Sequence, residues 1–93
     1  MVTHAALPLG RLVAPPGALA ALDATGESPA GFLARHQGGD YGEVSDEDRK
    51  LNEAAVRAGE RVLSAYRLRD GTAVWVLTEA DRSSTTIMLS SEY

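Results

Sequence analysis

Between Arg61 and Thr78, two apolar, β-rich runs, RVLSAYRL and TAVWVLT, flank Arg69-Asp70-Gly71. Asp-Gly between apolar runs supplies the positive φ that a tight hairpin turn requires, so these runs are predicted to pair antiparallel. TAVWVLT is continuously apolar, as expected of a central strand covered on both faces. TTIML then reads as a third strand, with Ile87 and Leu89 on one face and Thr86 and Met88 on the other. Residues 79–84 between the second and third runs suit a somewhat long hairpin loop.

Upstream of Gly59 the period is helical. In SDEDRKLNEAAVRAGERV, Ser45 with Asp48 three residues on resembles a capping box, and Asp46, Glu47 and Asp48 fill the electropositive first turn. Leu51, Ala54, Ala55 and Ala58 recur at helical spacing and predict a narrow apolar stripe, alanine-rich enough to lie close against a sheet. SPAGFLARHQGG predicts a second helix, capped by Ser28, opened by Pro29, stopped at Gly38-Gly39 and burying Phe32 and Leu33. PPGALAALDATG suits a short helix stopped by Gly26. GRLVAP is at most a short edge strand, because Gly10 and Pro15 bound it. Residues 1–15 are read as a loosely ordered arm or an edge strand. The expected fold is α+β: one domain over residues 1–93, a three-stranded antiparallel sheet, and two or three helices packed on one face.

With 93 residues the chain buries only a modest core, and a partner or a second copy would add to its stability. It has no cysteine, which removes disulfides and thiolate metal sites and fits a reducing compartment. No stretch reaches the roughly 20 apolar residues that a membrane-spanning helix needs. The N-terminal apolar run lacks a basic start and is interrupted by Arg11 and Pro15-Pro16, unlike a signal peptide. A cytoplasmic protein without membrane contact is expected.

Charge is the most informative compositional feature. Between Asp40 and Glu60 seven acids face three bases, which accounts for the whole net charge of -4. Such a face repels bare nucleic acid and attracts a basic protein surface. The expected contact residues are Asp40, Tyr41, Glu43, Asp46, Glu47, Asp48 and Arg82. Tyr41, on a loop flanked by glycines, is the candidate aromatic anchor, and Trp75 is expected to pack in the sheet.

Catalytic signals are sparse. The two histidines, His4 and His36, have no metal-ligand spacing, and Ser64, Ser83 and Ser84 have no nucleophile elbow. Asp40 with Glu79 and Asp81 supplies oxygens of the kind magnesium takes, but these acids suit solvated turn and cap positions better. HQGGDYG has paired glycines without the Lys-Ser or Lys-Thr of a P-loop, and helix termination explains them. His36 suits the last turn of its helix, where positive charge favours the dipole. No cofactor and no catalytic residue are expected. Glu79, Asp81 and Arg82 read first as loop residues.

LARHQGGDYGEVSDEDRKLNEAAVRAGERVLSAYRL, followed by GTAVWVLTEADRSSTTIML and SEY, resembles a family of short bacterial proteins found on plasmids and other mobile elements. The resemblance runs from Leu33 to Tyr93, and TEADRS and SEY are its most specific segments. Where the family has tryptophan after the Gly-Asp pair, this chain has Tyr41. The resemblance implies a genetic setting rather than an activity.

The expected function is a small non-enzymatic binding module that docks an acidic surface on a larger basic protein or nucleoprotein complex. Its specific version is an inhibitor of a host defence nuclease, of restriction or CRISPR type. A first alternative is a small nucleic-acid-acting enzyme or toxin using His36, Asp40, Glu79 and Arg82, which requires the four to converge in a pocket. A second is a regulatory module that forms a homodimer through an edge strand, with TTIML as the candidate.

Overall fold

The structure is a computed structural model that describes residues 7–93. In chain order it comprises strand β1 (Arg11–Val13), helices α1 (Pro16–Thr25), α2 (Pro29–Gln37) and α3 (Asp46–Ala58), and strands β2 (Val62–Arg67), β3 (Ala73–Thr78) and β4 (Ser84–Leu89). A short 3-10 turn, Ser90–Glu92, follows. The part of the expected N-terminal arm in residues 1–6 lies outside the described residues.

Local chemistry accounts for the helix limits. The Ser28 and Ser45 side chains accept from the amides of Ala30 at 3.2 Å and Asp48 at 3.1 Å, meeting donors that a helix start leaves free. Gly26 and Gly59 end α1 and α3 in the left-handed conformation. The Glu92 carboxylate accepts from Gly17 N–H in the first turn of α1, so the C-terminal turn is tied to a helix N-terminus.

The sheet has four strands, in the order β1-β4-β3-β2. The hairpins β2–β3 and β3–β4 are antiparallel, as the Asp-Gly turn and the loop expected over residues 79–84 predict, although Ser84 already belongs to β4 and the loop covers residues 79–83. The expected three-stranded antiparallel sheet is corrected at one side. β1 joins β4 in parallel, pairing Arg11 with Ser84 and Val13 with Thr86, which makes the sheet mixed. β1 therefore lies along the first half of β4, over Ser84 to Thr86, and occupies there the edge that TTIML was expected to offer for dimerisation.

Strand register puts Val62, Ser64 and Tyr66 on one face beside Val74, Val76 and Thr78, and those beside Thr85, Ile87 and Leu89. Leu22 of α1 and Phe32 of α2 pack with Tyr66, Val74, Val76 and Ile87 on this face. Ala55 of α3 joins Val62, Tyr41 and Leu7 at its β2 side. The opposite face carries Leu63, Ala65, Trp75, Leu77 and Met88, and Tyr93 stacks edge-on against Trp75 with ring centroids 5.3 Å apart. Trp75 is thus a half-buried packing residue.

α3 departs from its expected stripe. Asn52 and Ala55 are its buried residues, whereas Leu51 is 66% exposed and Ala54 and Ala58 face solvent. The physical reason lies in its seat. α3 packs against the side of one strand rather than across a sheet, so a narrow contact centred on Asn52 replaces the alanine stripe.

Candidate functional site

His36 is the most unusual residue of the interior, 1% exposed at the end of α2. Its Nδ1 is 2.6 Å from Ser64 Oγ and its Nε2 is 2.8 Å from Thr78 Oγ1. Thr78 in turn meets Thr85 Oγ1 at 2.7 Å, and Thr85 donates to Leu9 O at 2.8 Å. The last bond fixes the direction of the chain. Thr85 gives its proton to a carbonyl, so it accepts from Thr78, which accepts from Nε2–H, leaving Nδ1 to accept from Ser64. The ring is the neutral Nε2–H tautomer, and desolvation by burial pushes its pKa down to about 4. The expected charged histidine at a helix end is replaced by a neutral hinge between α2, β2, β3 and β4. Ser64, His36 and Thr78 have the connectivity of a nucleophile–base–orienter relay. Yet Ser64 and Thr78 are both fully buried, so no substrate reaches the serine, and the relay is a cross-brace of the core.

The Asp40-Tyr41 loop is held at every residue. Asp40 pairs with Arg35 at 2.7 Å, and that hydrogen bond holds its carboxyl below the usual range. Tyr41 packs with Leu7, Ala55 and Val62 and is only 6% exposed, which removes its ring from the surface an anchor needs. Glu43 pairs with Arg67 at 3.0 Å. Tyr41 O accepts from Ala65 N–H, and Glu43 N–H donates to Ala65 O, so the loop adds a bridge to the outer side of β2. Gly42 makes this approach possible. At φ +73°, a Cβ there would collide with Ala65 O and the Tyr66 ring. Tyr66 lies beneath the loop, donating to Asp40 O at 2.6 Å under the Arg35 guanidinium, and burial pushes its pKa up to about 12. The amides of Gly38, Gly39, Asp40 and Gly42 all have acceptors in the chain, so HQGGDYG presents no open set of donors to a phosphate.

Arg82 has a structural task. It sits at φ 61°, a left-handed position usual for glycine, and its Nη atoms donate to Glu60 O, Glu79 O and Ala55 O. The β3–β4 hairpin is thereby clamped to the C-terminal carbonyls of α3, where a cation is favoured. Its partners are Ala55 on α3, Glu60 just beyond that helix and Glu79 on its own loop, rather than the Asp40 loop. Glu79 pairs with Arg61 at 3.3 Å, and Asp81 accepts from Ser83 N–H. Of the four residues His36, Asp40, Glu79 and Arg82, only Glu79 and Arg82 meet, through the Glu79 carbonyl; His36 is bonded to Ser64 and Thr78 in the core and Asp40 to Arg35 on its own loop, so the four do not converge. Asp40, Glu79 and Asp81 likewise do not meet, and no cluster of metal-ligand residues occurs among the described residues.

Asp46, Glu47 and Asp48 remain on the surface. Asp46 stands 3.9 Å from Arg49, which also pairs with Glu53. Along α3, Glu47, Leu51, Ala54 and Ala58 fall on one outward stripe by helical spacing, and all four are exposed.

Sequence reasoning missed Asn52. Its side chain donates to Leu63 O at 2.8 Å and accepts from Leu63 N–H at 3.2 Å, imitating a neighbouring strand at the outer side of β2. Its position among the apolar residues of α3 is the only hint of this in the sequence.

Neither a family model, nor a curated protein, nor a solved structure matches this chain.

Proposed function

We propose that the protein is a non-enzymatic docking module whose contact surface is the outward stripe and first turn of α3. The observation that carries this reading is the exposure of Leu51, Ala54 and Ala58 next to Asp46, Glu47 and Asp48. An apolar strip beside an acidic helix start suits a partner with an apolar patch rimmed by Lys and Arg. Asp40 and Glu43 leave the contact set, because Arg35 and Arg67 already neutralise them; Tyr41 and Arg82 leave it because they are committed inside the fold. A mobile-element inhibitor of a restriction or CRISPR nuclease remains the specific form of this proposal. A nuclease's basic nucleic-acid channel is a surface that such a helix can occupy.

The test is affinity capture from a bacterial lysate with the wild type, Leu51→Glu, and the Asp46→Ala, Glu47→Ala, Asp48→Ala triple variant. A basic partner retained by the wild type and lost from both variants is expected. Equal capture by all three would remove α3 as the contact surface.

A further inference from the structure

The two sides of the sheet end differently. Arg11 N–H donates to Ser83 O across the β1–β4 pair at 3.0 Å. Strand alternation then directs the N–H and C=O of Leu12 away from β4, toward the outer edge. Among the described residues no backbone group pairs with them. Gly10 sets this edge, since at φ +64° it lets the chain pass against the Arg82 and Ser83 carbonyls where any Cβ would clash.

Next to that edge is a cavity of about 180 Å³ lined by Leu12, Val13, Ala14, Pro29, Leu33, Thr85 and Ile87. Its floor is β4 and its walls are β1 and α2. The only polar side chain in it, Thr85, has already given its proton to Leu9 O and accepted one from Thr78. The volume is close to that of cavities of about 150 Å³ that hold one benzene, so it suits a single leucine or aromatic side chain. Leu12 at the rim is 57% exposed.

The stretches that line this groove carry a single charge, and it is positive. Arg11 is the only charged residue from Leu7 to Leu22, and residues 29–33 of α2 and 84–87 of β4 carry no charge. Arg11 makes none of the molecule's ion pairs among the described residues. Alternation along β1 puts Leu12 on the helix side and Arg11 and Val13 on the other.

From these three features we infer that β1 and the adjoining groove bind an extended, acidic peptide segment of a partner protein by adding it as a fifth strand. The segment's residue opposite Leu12 is leucine or aromatic and fills the cavity. A neighbouring residue is acidic and meets Arg11 on the other face. Main-chain bonds to Leu12 hold the segment, and the cavity selects its side chain. This surface is separate from α3 and does not depend on the reading given for it.

The probe is an acetylated, amidated five-residue peptide with leucine at the centre, glutamate on each side and threonine at both ends. This order reads the same in both directions, so it fits a parallel or an antiparallel addition. Titration into the ¹⁵N-labelled protein is expected to shift the amides of Leu12, Leu33 and Ile87 saturably, with a Kd of about 1 mM or tighter. Exchanging the central leucine for alanine, or both glutamates for lysine, is expected to weaken binding roughly ten-fold, the equivalent of about 1.4 kcal/mol. Arg11→Glu, at an exposed position, is expected to weaken the glutamate peptide and strengthen the lysine one. Leu33→Asp puts a charge into the cavity and is expected to abolish both. Absent shifts, or equal binding by the leucine and alanine peptides or by wild type and Arg11→Glu, would overturn the proposal. So would a doubled mass in light scattering with Leu12 protected, since a second copy would then hold the edge.

Discussion

The two edges of this sheet are built on opposite principles. At the β2 edge every outward group of Leu63 and Ala65 has a partner: the Asn52 amide serves Leu63, and the backbone of Tyr41 and Glu43 serves Ala65. At the β1 edge three exposed residues end the sheet with Leu12 unpaired among the described residues. Unpaired edges invite association, and proteins cover or blunt the ones that are not used. The chain commits a helix, a loop and an obligatory glycine to one edge, and leaves the other open beside an apolar cavity. Protection on one side and exposure on the other separate the part that holds the fold from the part available to a partner.

The sealed edge is the easier one to break. Gly42→Ala forces a Cβ into Ala65 O and the Tyr66 ring at a left-handed φ, and strain and overpacking together are expected to cost about 4 kcal/mol in chemical denaturation. Acid attacks the brace behind the same edge. His36 has a folded pKa of about 4 against an ordinary 6.5, so between these values the unfolded chain binds more protons. Stability is therefore complete above pH 6.5 and falls as pH drops toward 4, by about 3 kcal/mol in all. In His36→Gln this pH slope disappears, and urea midpoints measured from pH 7 to 4 show the difference. Asn52→Leu leaves Leu63 N–H and C=O without partners and is expected to cost about 2 kcal/mol, with concentration-dependent association at the opened edge. Arg82→Ala releases the hairpin from α3 at a cost of about 1.5 kcal/mol, read from the thermal midpoint. On the open edge, Arg11→Glu is expected to change stability by less than about 0.5 kcal/mol, because nothing in the fold depends on that side chain.

Much of the sealed half was legible in the sequence. Ser45, Gly59, Asp70-Gly71 and the alternation of TTIML act locally, so helix caps and hairpins can be read from neighbours a few residues apart. What escaped reading is long-range. The parallel β1–β4 pair joins residues more than 70 positions apart through only three residues, and a strand so short between Gly10 and Pro15 carries no period of its own. Asn52 was hidden because a polar residue on a helix ordinarily faces water; its task appears only once β2 lies beside it. Tyr41 reads as a surface residue because it lies between glycines, yet Gly42 is what brings the loop in and buries the ring. The exposed alanine stripe of α3 reads as inward-facing for a related reason: periodicity locates a stripe, and the neighbouring element decides whether it is covered. TEADRS and SEY hold the structure together through Arg82, Glu79 and Glu92. Their chemistry is that of clamps.

Native-state hydrogen exchange tests the asymmetry of the edges most directly, because it reads each backbone amide separately. Leu63 and Ala65 are expected to exchange only with global unfolding, and Leu12 to exchange many orders of magnitude faster, near the rate of an unstructured amide. Adding the leucine-centred peptide is expected to slow Leu12 alone. Protection of Leu12 equal to that of Leu63 in the free protein, or rapid exchange at Leu63, would contradict a sheet with one sealed and one open edge.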